Sequence, residues 1–232
     1  MLINSISTRI FNENERLDLF ITEHIPTLRE NSVIVVTSKI VALAEGRTAL
    51  ITDKISLIKK ESQWHKPTKY VIMTIKDGML MASAGIDESN AKDKIILLPK
   101  NSFSAASKLR SKLMAFYKIK NLGILISDSR SLPLRAGSVG VAIGYAGFKG
   151  LHTYTNKKDL FGRQLKVTNM NLADSLAAAS VLMMGEGDEK MPLAVIENAP
   201  VYFQSKVNPK ELLIAVDDDL YGDLFKKIII KN

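Results

Sequence analysis

Residues 32–46 read SVIVVTSKIVALAEG and pass without a break from a strand pattern to a helix pattern. The run from Ser32 to Val36 is apolar and mostly β-branched, which predicts a buried strand. A polar turn at residues 37–39 follows, and the apolar residues after it predict a helix that ends at Gly46. The stretch therefore predicts a strand, a turn and a helix with polar side chains at the junction.

Two longer helices and one more buried strand follow in the chain. Residues 102–117 repeat apolar side chains at three- and four-residue spacing, which predicts an amphipathic helix. Asn171 is typical of an N-cap and begins a second helix that ends at Gly185. Between the two helices, residues 122–127 predict a buried strand that runs into Asp128.

The remaining elements are short, and their order decides the fold class. A capping-box variant at Asn12 precedes a helix that ends near Pro26, and residues 221–228 predict a final helix. Glycines between residues 137 and 150 predict closely packed strands and turns. Because strands and helices do not alternate regularly, the pattern favours an α+β fold with mixed or antiparallel sheets and packed helices. Further strands are predicted at residues 69–75, 79–84, 95–98, 191–196 and 211–216.

Length and composition describe an ordinary globular chain. The 232 residues are 46% hydrophobic and 24% charged, which excludes a disordered or collagen-like protein. Cysteine is absent, which excludes disulfides, thiolate zinc sites and cysteine nucleophiles and favours a reducing compartment. Apolar runs are strand-sized and the first residues lack a signal-peptide pattern, so we expect a cytoplasmic protein without a membrane segment.

The net charge of +8 predicts a polyanionic partner. Nucleotide phosphates, a polyglutamate-like substrate and nucleic acid all fit that charge. Nucleic acid is the least favoured of the three, because aromatic residues are only 6% and no block of five or six like charges occurs. The three histidines have no ligand spacing, which disfavours a zinc enzyme and a Ser-His-Asp hydrolase.

Acidic side chains follow two predicted strands. Asp87 lies in the segment AGIDESN at residues 84–90, and Asp128 follows the strand at residues 122–127. Carboxylates so placed can hold Mg²⁺ or Mn²⁺ against a triphosphate, and two such loops can share a metal pair. The alternative is structural, with Asp87 forming an Asx turn and Asp128 capping a turn. Glu186 is a third candidate ligand that also fits a solvated acidic loop.

Basic residues supply candidates for binding phosphate or carboxylate. Lys39, in the turn after the first buried strand, is placed to reach a phosphate. Arg130, Arg135 and Arg163 are guanidinium candidates, and glycine-bearing loops favour Arg135 and Arg163 as catalytic residues. The glycines of residues 137–150 match neither a P-loop nor a dinucleotide-binding spacing, so they indicate packing.

Several motifs occur in the order of a known family, and the chain resembles the coenzyme F420-0:L-glutamate ligases. Together the motifs span most of the chain. They are VVTSKIVALAEGR at residues 35–47, AGIDESN at 84–90, LLPK at 97–100, ISDS at 126–129, VAIG at 141–144, DLFGRQLKVT at 159–168 and NLADSLAAA at 171–179.

The resemblance implies a γ-glutamyl ligase that uses GTP or ATP and two divalent ions, Mg²⁺ or Mn²⁺. A carboxylate acceptor would form an acyl phosphate, which the amine of L-glutamate then attacks. The resemblance also implies a homodimer and one family-type unit over residues 1–232, in which two subdomains can be drawn, residues 1–83 with 171–232 and residues 84–170. It assigns metal contacts to Asp87, Asp128, Ser129 and Glu186, and nucleotide contacts to Ser38, Lys39 and Asn90.

One segment departs from the family pattern. Family members read D-T-x-G-R-P-W-R where residues 128–135 of this chain read DSRSLPLR, so the glycine–arginine pair and the tryptophan are absent. Residues 5–19 also lack the family's glycine-containing loop. These losses leave open whether the acceptor is of the deazaflavin or the folate type, since a related branch is thought to act on folates. They also leave open a nucleotide-binding module without turnover.

Overall fold

The computed structural model describes residues 1–91 and 93–229. The last three residues of the subdomain drawn to residue 232 lie outside this range, and the division into subdomains stays a prediction. The helices are α1 (Leu17–His24), α2 (Ser38–Ala44), α3 (Lys54–Glu61), α4 (Ser102–Tyr117), α5 (Leu172–Met184) and α6 (Gly222–Ile229). The strands are β1 (Leu2–Ile6), β2 (Ser32–Thr37), β3 (Thr48–Leu50), β4 (Trp64–Pro67), β5 (Ile72–Lys76), β6 (Met79–Ala82), β7 (Lys94–Ile96), β8 (Leu122–Ser131), β9 (Ser138–Ala146), β10 (Leu151–Thr153), β11 (Asn169–Asn171) and β12 (Leu193–Glu197).

A five-stranded sheet in the order β1-β12-β2-β8-β9 forms the centre of the fold. Strands β2 and β8 are parallel, and the other neighbours are antiparallel. Smaller sheets pair β3 with β7, β10 with β11, and β4 and β6 with β5. The sheet is mixed and the helices do not alternate regularly with the strands, so the predicted α+β fold class is confirmed.

Side chains of the central strands are buried on both faces of the sheet. On β2, Ile34 and Val36 join the core cluster that contains α1, α2 and α4, whereas Val33 and Val35 join the cluster that contains α5. This alternation follows from the two-residue period of a strand. Helices cover both faces, which explains why the strand reads as a continuous apolar run.

The two predicted long helices are confirmed, as is the predicted Asn171 cap, and the structure adds a cap at Asn101. Asn101 accepts a hydrogen bond from the backbone N–H of Ser104 at the start of α4, and Asn171 accepts one from Asp174 at the start of α5. The helix α1 begins at Leu17 rather than at the predicted cap. Within the described residues, no helix has the length and apolarity to cross a lipid bilayer.

The structure corrects two strand predictions and adds an edge strand that was not predicted. The strand predicted to end at Ser127 continues to Ser131, after a register shift between Ile126 and Ser127. Residues 211–216 form turns and irregular backbone rather than a strand, because the Glu211 carboxylate accepts hydrogen bonds from Tyr145 and Gly150 and fixes the segment through its side chain. The edge strand β1 was not predicted, since its pairing with β12 joins distant parts of the chain.

Gly144 allows α4 to approach β9, as the glycine-rich segment predicts. A Cβ atom at Gly144 would lie 2.5 Å from the carbonyl carbon of Ser102 and 2.8 Å from the amide nitrogen of Phe103. Both neighbours are backbone atoms at the start of α4. A side chain at position 144 could therefore be accommodated only if the backbone of α4 moved away from β9.

We expect Gly144→Ala to lower the free energy of unfolding by about 1–3 kcal/mol, the usual cost of overpacking a core. Urea unfolding followed by circular dichroism measures the change. Gly187→Ala is the matched control, because its Cβ would meet only the Glu189 carboxylate at an ordinary distance of 3.5 Å. Equal urea midpoints for the two variants would contradict the close packing of α4 on β9.

Candidate active site

A cavity of about 1870 Å³ lies at the carboxyl ends of β2 and β8. Its walls also include residues 85–90, the turn after α5 and part of the C-terminal segment from residue 209 to residue 225. Side chains that follow neighbouring parallel strands emerge at the same edge of a sheet. The volume exceeds the roughly 300–1,000 Å³ of a typical ligand pocket, so two small molecules can bind side by side.

Seven of the nine predicted site residues line this cavity, and two do not. Arg135 is exposed in the turn after β8, and Arg163 is exposed in the loop between β10 and β11. Neither arginine belongs to the cavity wall. The seven that line it are Ser38, Lys39, Asp87, Asn90, Asp128, Ser129 and Glu186.

Asp87 is held at the cavity by backbone pairing and by its own carboxylate. Its backbone exchanges two hydrogen bonds with Ile96 at the end of β7. The carboxylate accepts hydrogen bonds from the backbone N–H and the hydroxyl of Ser89, at 2.7 and 2.9 Å, so the Asx turn that the sequence allows is present. The Lys39 ammonium lies 2.8 Å from the same carboxylate.

The pKa of Asp87 reflects a balance between burial and these partners. Burial alone would raise the pKa, but the Lys39 ammonium and the hydrogen bonds from Ser89 outweigh it and hold the pKa below its ordinary value. Asp87 is therefore ionised at neutral pH. Its negative charge faces the cavity and is neutralised by a lysine that is itself partly exposed.

Asp128 meets Ser38 because β2 and β8 are parallel. Thr37 and Ser127 are register partners at the ends of the paired region, so the next residue on each strand emerges beside the other. The Ser38 hydroxyl donates to one carboxylate oxygen of Asp128 at 2.7 Å. Asp128 was predicted at the end of a strand but lies within β8, and its second oxygen pairs with Arg130.

Arg130 is the cavity residue that the sequence interpretation ranked too low. Its side chain is only 9% exposed, and Nη1 binds Asp128 and the carbonyl of Ser129. Burial lowers the pKa of Arg130 to about 10, which leaves the guanidinium charged at neutral pH. In a strand, residues two apart share a face, so recognising that β8 continues past Ser127 would have placed Asp128 and Arg130 together.

Glu186 closes the site from the turn after α5. Gly185 ends the helix with a positive φ of 81°, and the hydroxyl of Ser129 donates to the Glu186 carboxylate at 2.5 Å. The Asn90 side chain donates to the carbonyl of Gly187 at 3.4 Å. Four segments distant in the sequence therefore meet at one end of the sheet.

The donor atoms of this site suit a hard divalent cation. They are carboxylate and hydroxyl oxygens, which Mg²⁺ and Mn²⁺ prefer. Among residues 1–91 and 93–229, no three acidic or histidine side chains converge closely enough to form a complete cage. Mg²⁺ commonly binds through one or two carboxylates and completes its shell with water and substrate phosphates. The residues present therefore fit Mg²⁺ or Mn²⁺ held jointly with a phosphorylated substrate.

A large cavity with paired acidic and basic groups at the ends of parallel strands is typical of proteins that bind anionic small molecules. The particular family follows from comparison with known proteins. The chain belongs to the F420-0:Gamma-glutamyl ligase family, whose model matches residues 5–198. The resemblance in the sequence motifs is thereby confirmed, and the chain is a ligase of the γ-glutamyl type.

Individual members of the family are similar in sequence to this chain over most of their length. The coenzyme F420:L-glutamate ligase of Methanococcus maripaludis strain C6 is 34% identical over 215 residues, covering 84% of this chain and 86% of the relative. The ligase of Methanocaldococcus jannaschii is 33% identical over 230 residues, covering 87% and 91%. The ligase of Methanosarcina acetivorans is 30% identical over 223 residues and covers 87% of each chain.

Proposed function

We propose that this chain adds L-glutamate to a carboxylate acceptor in a reaction that needs a divalent metal ion and GTP or ATP and proceeds through an acyl phosphate. The observation that carries the proposal is that Asp87, Asp128, Glu186 and Lys39 all line one cavity of a γ-glutamyl ligase. The cavity volume supports it, because a nucleotide and an acceptor must bind together.

The proposed nucleotide contacts use side chains already held at the cavity. Lys39 reaches the hydroxyl of Ser89 at 2.9 Å and the carboxylate of Asp87 at 2.8 Å, and its ammonium can turn from these partners to a phosphate. Ser38 and Asn90 line the same wall. A bound divalent ion would supply neutralisation of the phosphate charge. Asp87 is its proposed carboxylate ligand, and Asp128, Ser129 and Glu186 are the further metal contacts that the family resemblance implies.

In the proposed chemistry, the acceptor carboxylate attacks the γ-phosphorus and the nucleoside diphosphate leaves. The free amine of glutamate then attacks the carbonyl carbon of the acyl phosphate. Inorganic phosphate leaves, the nitrogen loses a proton, and an amide bond remains. An acyl phosphate is prone to hydrolysis, so the site must exclude water. The C-terminal segment contributes apolar side chains to the cavity wall, at Leu212, Leu213 and Phe225, which supports this requirement.

A methionine-rich wall is the proposed site for the body of the acceptor. Met73, Met79 and Met81 line the cavity on the β5–β6 hairpin. Methionine is flexible and polarisable and packs well against aromatic rings. Deazaflavins and folates both carry a flat heteroaromatic ring, so this wall supports either acceptor type.

The test combines the protein with GTP or ATP, Mg²⁺ or Mn²⁺, L-glutamate and one acceptor of either type. We expect phosphate release that depends on the acceptor, and a product heavier by one or more glutamyl residues in mass spectrometry. Omission of glutamate or metal is the control. Lack of a glutamylated product with both acceptor types would contradict the proposal.

A second candidate is a module that binds the nucleotide without turnover. The altered segment at residues 128–135 favours it, as does the position of Arg135 outside the cavity. Tight nucleotide binding with no product from any acceptor would support this candidate. A homodimer and a cytoplasmic location remain predictions. Binding of nucleic acid remains the less favoured interpretation of the positive net charge.

A further inference from the structure

We propose that Arg130 takes the place of one of the two divalent ions implied by the family resemblance, so that this chain binds one ion per nucleotide. The inference rests on the proposed function and concerns the same site. It assigns a role to a residue that stands at the variable position of the family pattern D-T-x-G-R-P-W-R.

Arg130 is a fixed cation. It lies on β8, its side chain is 9% exposed, and Nη1 is held between the Asp128 carboxylate and the carbonyl of Ser129. Its Nε and Nη2 atoms are buried without a partner, so Asp128 is the only anion that compensates the guanidinium among the residues described.

The cation at Asp87 differs from the one at Asp128. Lys39 reaches Asp87 on a flexible four-carbon stem, its side chain is 27% exposed, and its other partners are two oxygens of Ser89. A divalent ion can displace such a lysine, which then remains close enough to bind a phosphate. The Asp87 side of the cavity is therefore open to a metal ion.

The Asp128 side lacks the charge to hold a second ion. Both carboxylate oxygens of Asp128 are engaged, one by the Ser38 hydroxyl and one by Arg130. A divalent ion on this carboxylate would lie within a few ångströms of a buried guanidinium, and like charges at that distance repel strongly in a poorly hydrated site. No third acidic or histidine side chain of the described residues joins Asp128 to offset the repulsion.

The segment that follows Arg130 also departs from the family pattern. The family pattern has a glycine–arginine pair at positions 131 and 132, where this chain has Ser131 and Leu132. The basic side chains of this stretch are Arg130 and Arg135, and Arg130 lies inside the strand beside the Asp128 carboxylate.

The test counts Mn²⁺ ions per bound molecule of a non-hydrolysable GTP analogue, after rapid gel filtration of the full chain and acid release of the metal for electron paramagnetic resonance. We expect one Mn²⁺ for the unaltered protein and for Arg130→Lys, which keeps the charge. We expect two for Arg130→Met, which removes the charge at similar volume. Two ions in the unaltered protein would overturn the inference, and so would a single ion in a folded Arg130→Met variant.

The number of bound Mn²⁺ ions also distinguishes failure of this inference from failure of the proposed function. If no Mn²⁺ accompanies the analogue in the unaltered protein, the metal-dependent function itself fails and the inference falls with it. If Arg130→Met does not fold, the Mn²⁺ counts for the unaltered protein and for Arg130→Lys still test the inference. Two bound ions in either of these proteins would contradict the proposed role of the guanidinium.

Discussion

Asp87→Asn is expected to reduce kcat/KM for glutamate addition by at least about 10²-fold, the scale of removing one charge-stabilising group from an active site. The carboxylate is ionised, faces the cavity and is balanced by a displaceable lysine, so its charge is available to a bound cation. Asparagine keeps the Asx turn, because its side-chain oxygen still accepts from the Ser89 N–H. The fold is therefore expected to survive, as circular dichroism and urea unfolding would measure.

The neighbouring carboxylate provides the control for this effect. Glu88 pairs with Lys54 on the surface and is not part of the cavity wall. We expect Glu88→Gln to keep kcat/KM close to that of the unaltered protein. If Asp87→Asn and Glu88→Gln had the same activity, the role of Asp87 in binding a cation would be excluded.

Asp128→Asn is expected to lower the free energy of unfolding by about 3–5 kcal/mol, because it leaves the buried charge of Arg130 without its anion. A loss of this size is a large fraction of the total stability of a typical domain. Loss of activity accompanies it, so the rate of this variant alone does not separate a metal contact from a structural contact. Urea unfolding monitored by circular dichroism gives the stability change directly.

The double variant Asp128→Asn with Arg130→Met is the decisive comparison. Removing both charges leaves no unpaired ion, so we expect the double variant to be more stable than Asp128→Asn alone. A double variant that loses the sum of the two single losses would contradict a direct interaction between the two side chains. An unaltered urea midpoint for Asp128→Asn would contradict the buried ion pair itself.

The sequence predicted most accurately the helices that have a clear cap or a clear apolar periodicity. Helix α4 has the predicted bounds, and α5 begins after its predicted Asn171 cap and ends before Gly185. Capping side chains and apolar periodicity act within a few residues, so they are visible in the sequence. The strand predicted at residues 211–216 was wrong, since Leu213, Ile214 and Val216 are exposed and the segment forms turns and irregular backbone instead of joining a sheet.

The sequence predicted which residue types form the site but not which of their side chains contact one another. The residue types at Asp87, Asp128 and Glu186 indicate a cation site, and the structure brings all three to one cavity. Arg135 and Arg163 were favoured because their loops contain glycine, yet neither lines the cavity. Loop composition describes local conformation and carries no information about which loops meet.

By itself, the sequence determined the buried strand at residues 32–36, the capped helices and the acidic segments that follow the strands, because each depends on neighbouring residues. Only the tertiary structure decided that Asp128 lies within a continued strand and pairs with Arg130 and Ser38. That pairing depends on the parallel register of β2 with β8 and on burial by distant segments. Register and burial arise from contacts across the whole chain, so no local pattern of residues can specify them.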